Sequence, residues 1–98
     1  MLALPLQALA DQTRREILSV LSSSPASAGS IANRFELAIS TVSHHLSILR
    51  LAGLINVRRE GRSLIYSMNT EATRQFLAEL HALLGVAAEP RAEPGDSG

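Results

Sequence analysis

Cysteine is absent from this 98-residue chain. That excludes disulfides, thiolate metal sites and thiol-based redox sensing. Tryptophan is absent too, and the aromatic residues are Phe35, Phe76 and Tyr66 only. A core must therefore be built from Leu, Ile, Val and Ala, which the 46% hydrophobic content supplies. No apolar run approaches the ~20 residues that a membrane span needs. The start, Met1 to Leu6, is apolar but lacks a basic flank and is too short for a signal peptide, so the expected location is the cytoplasm. A chain of this length buries only about 60–65% of its unfolded surface. Added stability from a partner subunit is therefore expected.

Lysine is absent as well, so all nine basic residues are arginine, balanced by nine acids to a formal net charge of zero. The distribution says more than the sum. Between Ser40 and Ser67, Arg50, Arg58, Arg59 and Arg62 face only Glu60, a local net charge of +3. From Val86 to Gly98, Arg91 stands against Glu89, Glu93 and Asp96, a net −2. Positive charge is thus concentrated in one segment.

The apolar pattern predicts five helices and a hairpin. Leu2, Leu4, Leu6 and Leu9 suggest a short first helix ending near Asp11. Asp11 is a good N-cap for a second helix, in which Ile17, Leu18 and Leu21 recur at helical spacing. Ser22-Ser23-Ser24-Pro25 ends it. Ser27 caps a third helix running to about Phe35, with Ile31, Ala32 and Phe35 inward. After Glu36-Leu37-Ala38-Ile39, Ser40 caps a fourth helix to Leu51 or Ala52, and Gly53 occupies the left-handed position that ends it. Leu54–Arg58 and Ser63–Met68 read as two strands joined by the turn Arg59-Glu60-Gly61-Arg62. Asn69 or Thr70 caps a last helix to about Leu84, closed by Gly85. Residues 86–98 lack periodicity and read as a disordered tail. The expected class is mainly α with a β-hairpin wing, a winged helix-turn-helix in the order α-α-α-α-β-β-α, with residues 1–85 as the DNA-binding and dimerisation domain.

Function is carried by the segment from Ser27 to Arg62. Ile31, Phe35, Leu37 and Val42 fall where two helices crossing at a tight turn need apolar contacts, and Ala32 is small where they approach. With Val42, Leu46 and Leu49 inward, the fourth helix turns Ser40, Thr41, Ser43, His44 and Ser47 outward. A helix enters the major groove of DNA only with a slim polar face. An ordinary solvated face carries Glu and Lys, and this one has neither. Arg58, Arg59 and Arg62 on the hairpin suit phosphate or minor-groove contact, with the plain solvated turn as the alternative. Arg50 serves either DNA or the helix dipole. His45 reads as a half-buried packing residue. Leu4, Leu6, Leu9, Phe76, Leu77, Leu80, Leu83 and Leu84 exceed what a three-helix core can use and suit a second subunit, with burial of the whole set inside its own chain as the alternative. A two-fold dimer then spans successive major grooves ~34 Å apart on a palindromic operator.

The stretches Ala8–Leu18 and Ser40–Arg50, followed by Leu51-Ala52-Gly53-Leu54-Ile55 and Arg59-Glu60-Gly61-Arg62, resemble the ArsR/SmtB-type winged-helix repressors over roughly residues 5–84. The resemblance implies a homodimer joined through its first and last helices, released from its operator by a signal. Many members of that family sense metals. Their third-helix cysteines correspond here to Ser27 and Gly29, and their last-helix ligands to Thr70, Ala72, Leu83 and Val86. None of these is a ligand, so the chain is similar to the metal-independent, sporulation-delay autorepressor-like branch, with no cofactor. Three other readings compete with this one. A non-standard metal site from His44, His45, His81 and carboxylates needs three or four convergent ligands. A protein-interaction module sits poorly with the polar helix and arginine wing. Catalysis lacks a nucleophile in a glycine-flanked turn and a phosphate-cradling loop. The expected partners are double-stranded DNA, a second copy of the chain and an effector or co-repressor whose chemistry the residues do not specify; no membrane is expected.

Overall fold

A computed structural model describes residues 2–85; the expectation of a tail over 86–98 lies outside the described residues. The order is α1 (Ala3–Ala8), α2 (Gln12–Ser23), β1 (Ala26–Ser27), α3 (Ala28–Phe35), α4 (Ile39–Leu51), β2 (Ile55–Glu60), β3 (Ser63–Met68) and α5 (Thr70–Leu84).

Three of the four expected caps form as read. The side chains of Asp11, Ser27 and Asn69 accept the backbone N–H groups of Arg14, Ser30 and Ala72 at 3.1 Å each. Each satisfies one of the donors that a helix start leaves without a partner. The Arg14 N–H bond to Asp11 holds that carboxyl below the ordinary carboxylate range. Its stabilising effect is therefore present above that range and is lost as the pH falls through the lowered pKa. Gly53 (φ 80°) ends α4. Its N–H donates to Arg50 O at 2.9 Å and that of Leu54 to Leu49 O at 3.1 Å, the paired bonds of a Schellman motif. Gly85 (φ 69°) closes α5.

Two features differ from expectation. The sheet has three strands, in the order β1-β3-β2. Ala26 and Ser27 pair with Tyr66 and Ile65 of β3, so β3 is central. Two residues are too few to show any periodicity, so the pairing is visible only in the fold. The second difference is the start of α4. Ala38 holds the N-cap position without a side-chain bond, and Ser40 is already inside the helix. The cause is the turn before it. Glu36 adopts a left-handed conformation (φ 56°), and Leu37 N–H reaches back to Ala32 O at 2.9 Å. This closes α3 so tightly that α4 begins one residue earlier than Ser40.

The core is aliphatic. Ile17, Leu18 and Leu21 of α2, Ile31 and Ala32 of α3, Val42, Leu46 and Leu49 of α4, and Leu54 and Ile55 entering β2 form one buried cluster with Ala8 of α1. Phe35, Leu37 and Tyr66 pack at its edge. The body is thus α2, α3 and α4 against the sheet, with α1 laid on α4. Asn69 N–H bonds Leu54 O at 2.8 Å, tying the start of α5 to the start of β2.

Glu36 bears the cost of a side chain in left-handed backbone, where glycine is at ease. Glu36→Gly is expected to raise unfolding free energy by about 0.5–1 kcal/mol, read by urea denaturation, whereas Glu36→Ala gives no gain. Destabilisation by Glu36→Gly would contradict the turn geometry.

Candidate nucleic-acid interface

Helix α4 is seated by Val42, Leu46 and Leu49, each no more than 1% exposed. Burial of that stripe turns Ser40, Thr41, His44, Ser47 and Arg50 to solvent. The expected outer face is therefore present, with one refinement. Ser43 is half-buried and looks into an open groove lined by Ser27 of β1, Ala28 and Gly29 of α3, and Ser63, Leu64 and Tyr66 of β3. It lies between helix and wing. The first turn of α4 contains no acid and no capping side chain. Its free N–H groups and the positive end of the helix dipole are left facing solvent, an arrangement that favours a phosphate.

His45 is turned inward, its side chain only 14% exposed. Its Nδ1 lies 3.3 Å from Arg14 Nη1 and 4.0 Å from Asp11 Oδ2. The ring thus lies between the Arg14 guanidinium and the Asp11 carboxylate. Arg14 also donates through Nε to Ala8 O at 2.7 Å and through Nη2 to Gln7 O at 3.1 Å. Arg15 donates to Leu9 O at 2.7 Å. The two arginines therefore bind the C-terminal carbonyls of α1, where cations are favoured. Arg14 joins α1 to α4 through His45.

The wing is longer and its turn tighter than expected. Arg59 and Glu60 belong to β2, and only Gly61 and Arg62 form the loop. Positive φ at Gly61 alone (62°) matches a II′ hairpin turn. Strand alternation then separates the arginines. Arg58 shares a face with Glu60 and binds its Oε2 through Nη2 at 2.7 Å and Nε at 3.1 Å. Arg59 takes the other face, opposite Leu64, on the side of the sheet that adjoins Ser43. Among the described residues, Arg50, Arg59 and Arg62 have no carboxylate partner. Arg58 differs from these three in having its charge paired with Glu60.

The residues proposed for a second subunit divide similarly. Leu4, Leu6, Leu77, Leu83 and Leu84 are 44–65% exposed. Leu80 is half-buried, and Leu9 is half-buried against the core. Phe76 is only 5% exposed, so its own chain already consumes its surface. Three exposed apolar residues escaped the sequence reading, one of them Leu64 (43%) on β3. Leu51 (76%) stands beside Leu4, Gln7 and Ile48, and Ile39 (58%) stands at the other end of α4. Leu51 lies about two and a half turns on from Val42, hence on the outer face, which the helical count alone could have revealed. Among the described residues, no three His, Asp or Glu side chains come together as a metal site. No helix among them is long and apolar enough to cross a membrane.

A slim polar helix beside a basic hairpin, both on one aliphatic core, defines a winged helix-turn-helix DNA-binding protein. The chain belongs to the arsR family of bacterial regulatory proteins, whose model matches residues 11–57, from the α2 cap into β2. It is 42% identical over 64 residues to the transcriptional repressor SdpR of Bacillus subtilis, covering 65% of this chain and 71% of the relative. It is 35% identical over 78 residues to the transcriptional activator HlyU of Vibrio cholerae, covering 80% and 72%. The solved structure of an ArsR-like transcriptional regulator from Rhodococcus sp. RHA1 superposes with a TM-score of 0.76 at 31% identity, covering 86% of this chain and 78% of that one. The protein is a DNA-binding transcriptional regulator.

The geometry ranks the wing arginines. Arg59→Ala is expected to reduce the slope of log affinity against log salt by about one. Arg58→Ala has a smaller effect because Glu60 already neutralises that charge, and Glu60→Gln strengthens binding at low salt. Fluorescence anisotropy with a labelled duplex over a salt series reads all three; equal losses from Arg58→Ala and Arg59→Ala would contradict the pairing.

Proposed function

We propose that this chain is a homodimeric repressor that binds a palindromic operator through α4 and the wing, and that it does so without a metal of its own. The observation that carries the reading is the outer face of α4. Ser40, Thr41, His44 and Ser47 are exposed, no acid stands among them, and Arg50, Arg59 and Arg62 flank them without carboxylate partners among the described residues. Short hydroxyls fit the groove and reach phosphates or base edges, and His44 donates to an acceptor such as guanine N7 or O6. Ser43 acts from the seam between helix and wing, and the arginines supply sequence-independent affinity through counterion release.

Dimerisation is supported by Leu4 and Leu6 on α1 and Leu77, Leu80, Leu83 and Leu84 on α5. An apolar set of this kind is costly to leave in water and suits a partner. A second copy satisfies it symmetrically and pairs two α4 helices for successive grooves. Residues 1–85 then form one DNA-binding and dimerisation unit, working in the cytoplasm and free of catalysis. Repression then follows from occupying the operator; the similar Bacillus relative SdpR is a transcriptional repressor.

The test pairs mass with binding. By analytical ultracentrifugation the protein is expected to sediment as a dimer, and Leu83→Glu with Leu84→Glu is expected to halve the mass while the thermal transition of the monomer fold persists. Anisotropy against the duplex upstream of its own gene is expected to give sequence-selective binding that weakens steeply with salt, and the double variant loses roughly tenfold or more in affinity, because each monomer then binds one half-site. A monomeric wild-type protein that binds no duplex at low salt would refute the proposal and favour a protein-interaction module.

A further inference from the structure

Ile39 is an apolar side chain in a polar setting. It is 58% exposed at the first position of α4, followed by Ser40 and Thr41 and one turn before Ser43. The remaining exposed leucines of the helical body lie elsewhere. Leu4, Leu6, Leu77, Leu83 and Leu84 belong to α1 and α5, and Leu51 lies at the far end of α4, about 18 Å away at 1.5 Å per residue. Ile39 therefore does not extend that apolar set. Its other surroundings are an open depression on α3 and the turn, lined by Gly29, Ala32, Asn33, Glu36 and Leu37, which leaves more than half of the side chain in water.

The N-terminal end of a recognition helix is the part that meets base edges. Isoleucine offers that surface no donor or acceptor, so it cannot bind phosphate or the polar edge of a base. The major groove contains one apolar group, the thymine 5-methyl. A β-branched side chain in a helix is stiff about χ1, so Ile39 presents a fixed methyl surface at small entropic cost. Pressed against a base without that methyl, it would desolvate polar edge atoms and give nothing back. We propose that Ile39 is a specificity-determining residue that packs on a thymine 5-methyl in each half-site. This rests on the DNA-binding reading of α4.

The test uses the duplex that the full chain itself enriches from a random-sequence pool. Each thymine is replaced in turn by deoxyuridine, which keeps every hydrogen bond and removes only the methyl. One position per half-site is expected to lose about three- to tenfold in affinity, the scale of one buried methyl group. Ile39→Ala is expected to bind the thymine and uracil duplexes equally. A wild-type scan flat at every thymine, with sequence-selective binding intact, overturns the role of Ile39 and leaves the DNA reading standing. That scan needs no variant, so a folding defect in Ile39→Ala does not blunt it. An equal loss by Ile39→Ala on both duplexes likewise overturns the role and makes the residue a support of the turn. Enrichment of no duplex at all overturns the DNA reading and this inference together.

Discussion

Everything functional in this molecule depends on seating α4 by one narrow stripe while its opposite face stays bare. Val42, Leu46 and Leu49 bear that load, and all three are essentially without solvent contact. Truncating a buried leucine of this kind costs about 2–5 kcal/mol, against a total stability of about 5–15 kcal/mol for a domain. In a core with no tryptophan and its few aromatics at the margins, little else can compensate. The same stripe sets the rotation of the helix about its axis, and so decides that Ser40, His44 and Ser47 look outward.

The elements around α4 act as its fixings. The left-handed turn at Glu36 fixes the angle of entry, and the Schellman motif at Gly53 fixes the exit into β2. Arg14 fixes the flank, binding His45 on one side and the terminal carbonyls of α1 on the other. This last connection joins the helix proposed to read DNA to a helix proposed to meet a second subunit. The wing is positioned by the same logic. Its register puts Arg59 on the side of Ser43 and turns Arg58 towards Glu60.

Most of the fold was legible because its signals are local. Asp11, Ser27, Asn69, Gly53 and Gly85 each mark a helix end through chemistry within a few residues, and the apolar spacing of α2, α3 and α4 is regular. The misread points are those where tertiary geometry decides. Ser40 looks like a cap, yet the left-handed residue at Glu36 moves the helix start ahead of it. That shift hid Ile39, which was placed in a linker rather than on a helix. Ala26 and Ser27 become a strand only because β3 lies beside them. Arg58 and Glu60 read as neighbours in a turn, and only a strand assignment puts them on one face. Phe76 carries the same apolar signal as Leu83, but one is buried within the chain and the other is not.

The central claim is that the outer face of α4 and the adjoining wing form the DNA surface. Amide chemical-shift mapping by NMR, with an enriched duplex titrated into the protein, tests it most directly. The account predicts perturbations concentrated from Ile39 to Ser47 and from Arg59 to Ser63, with α2 and the outer leucines of α5 little changed. Perturbations centred on α1 and α5, with α4 and the wing silent, would contradict it.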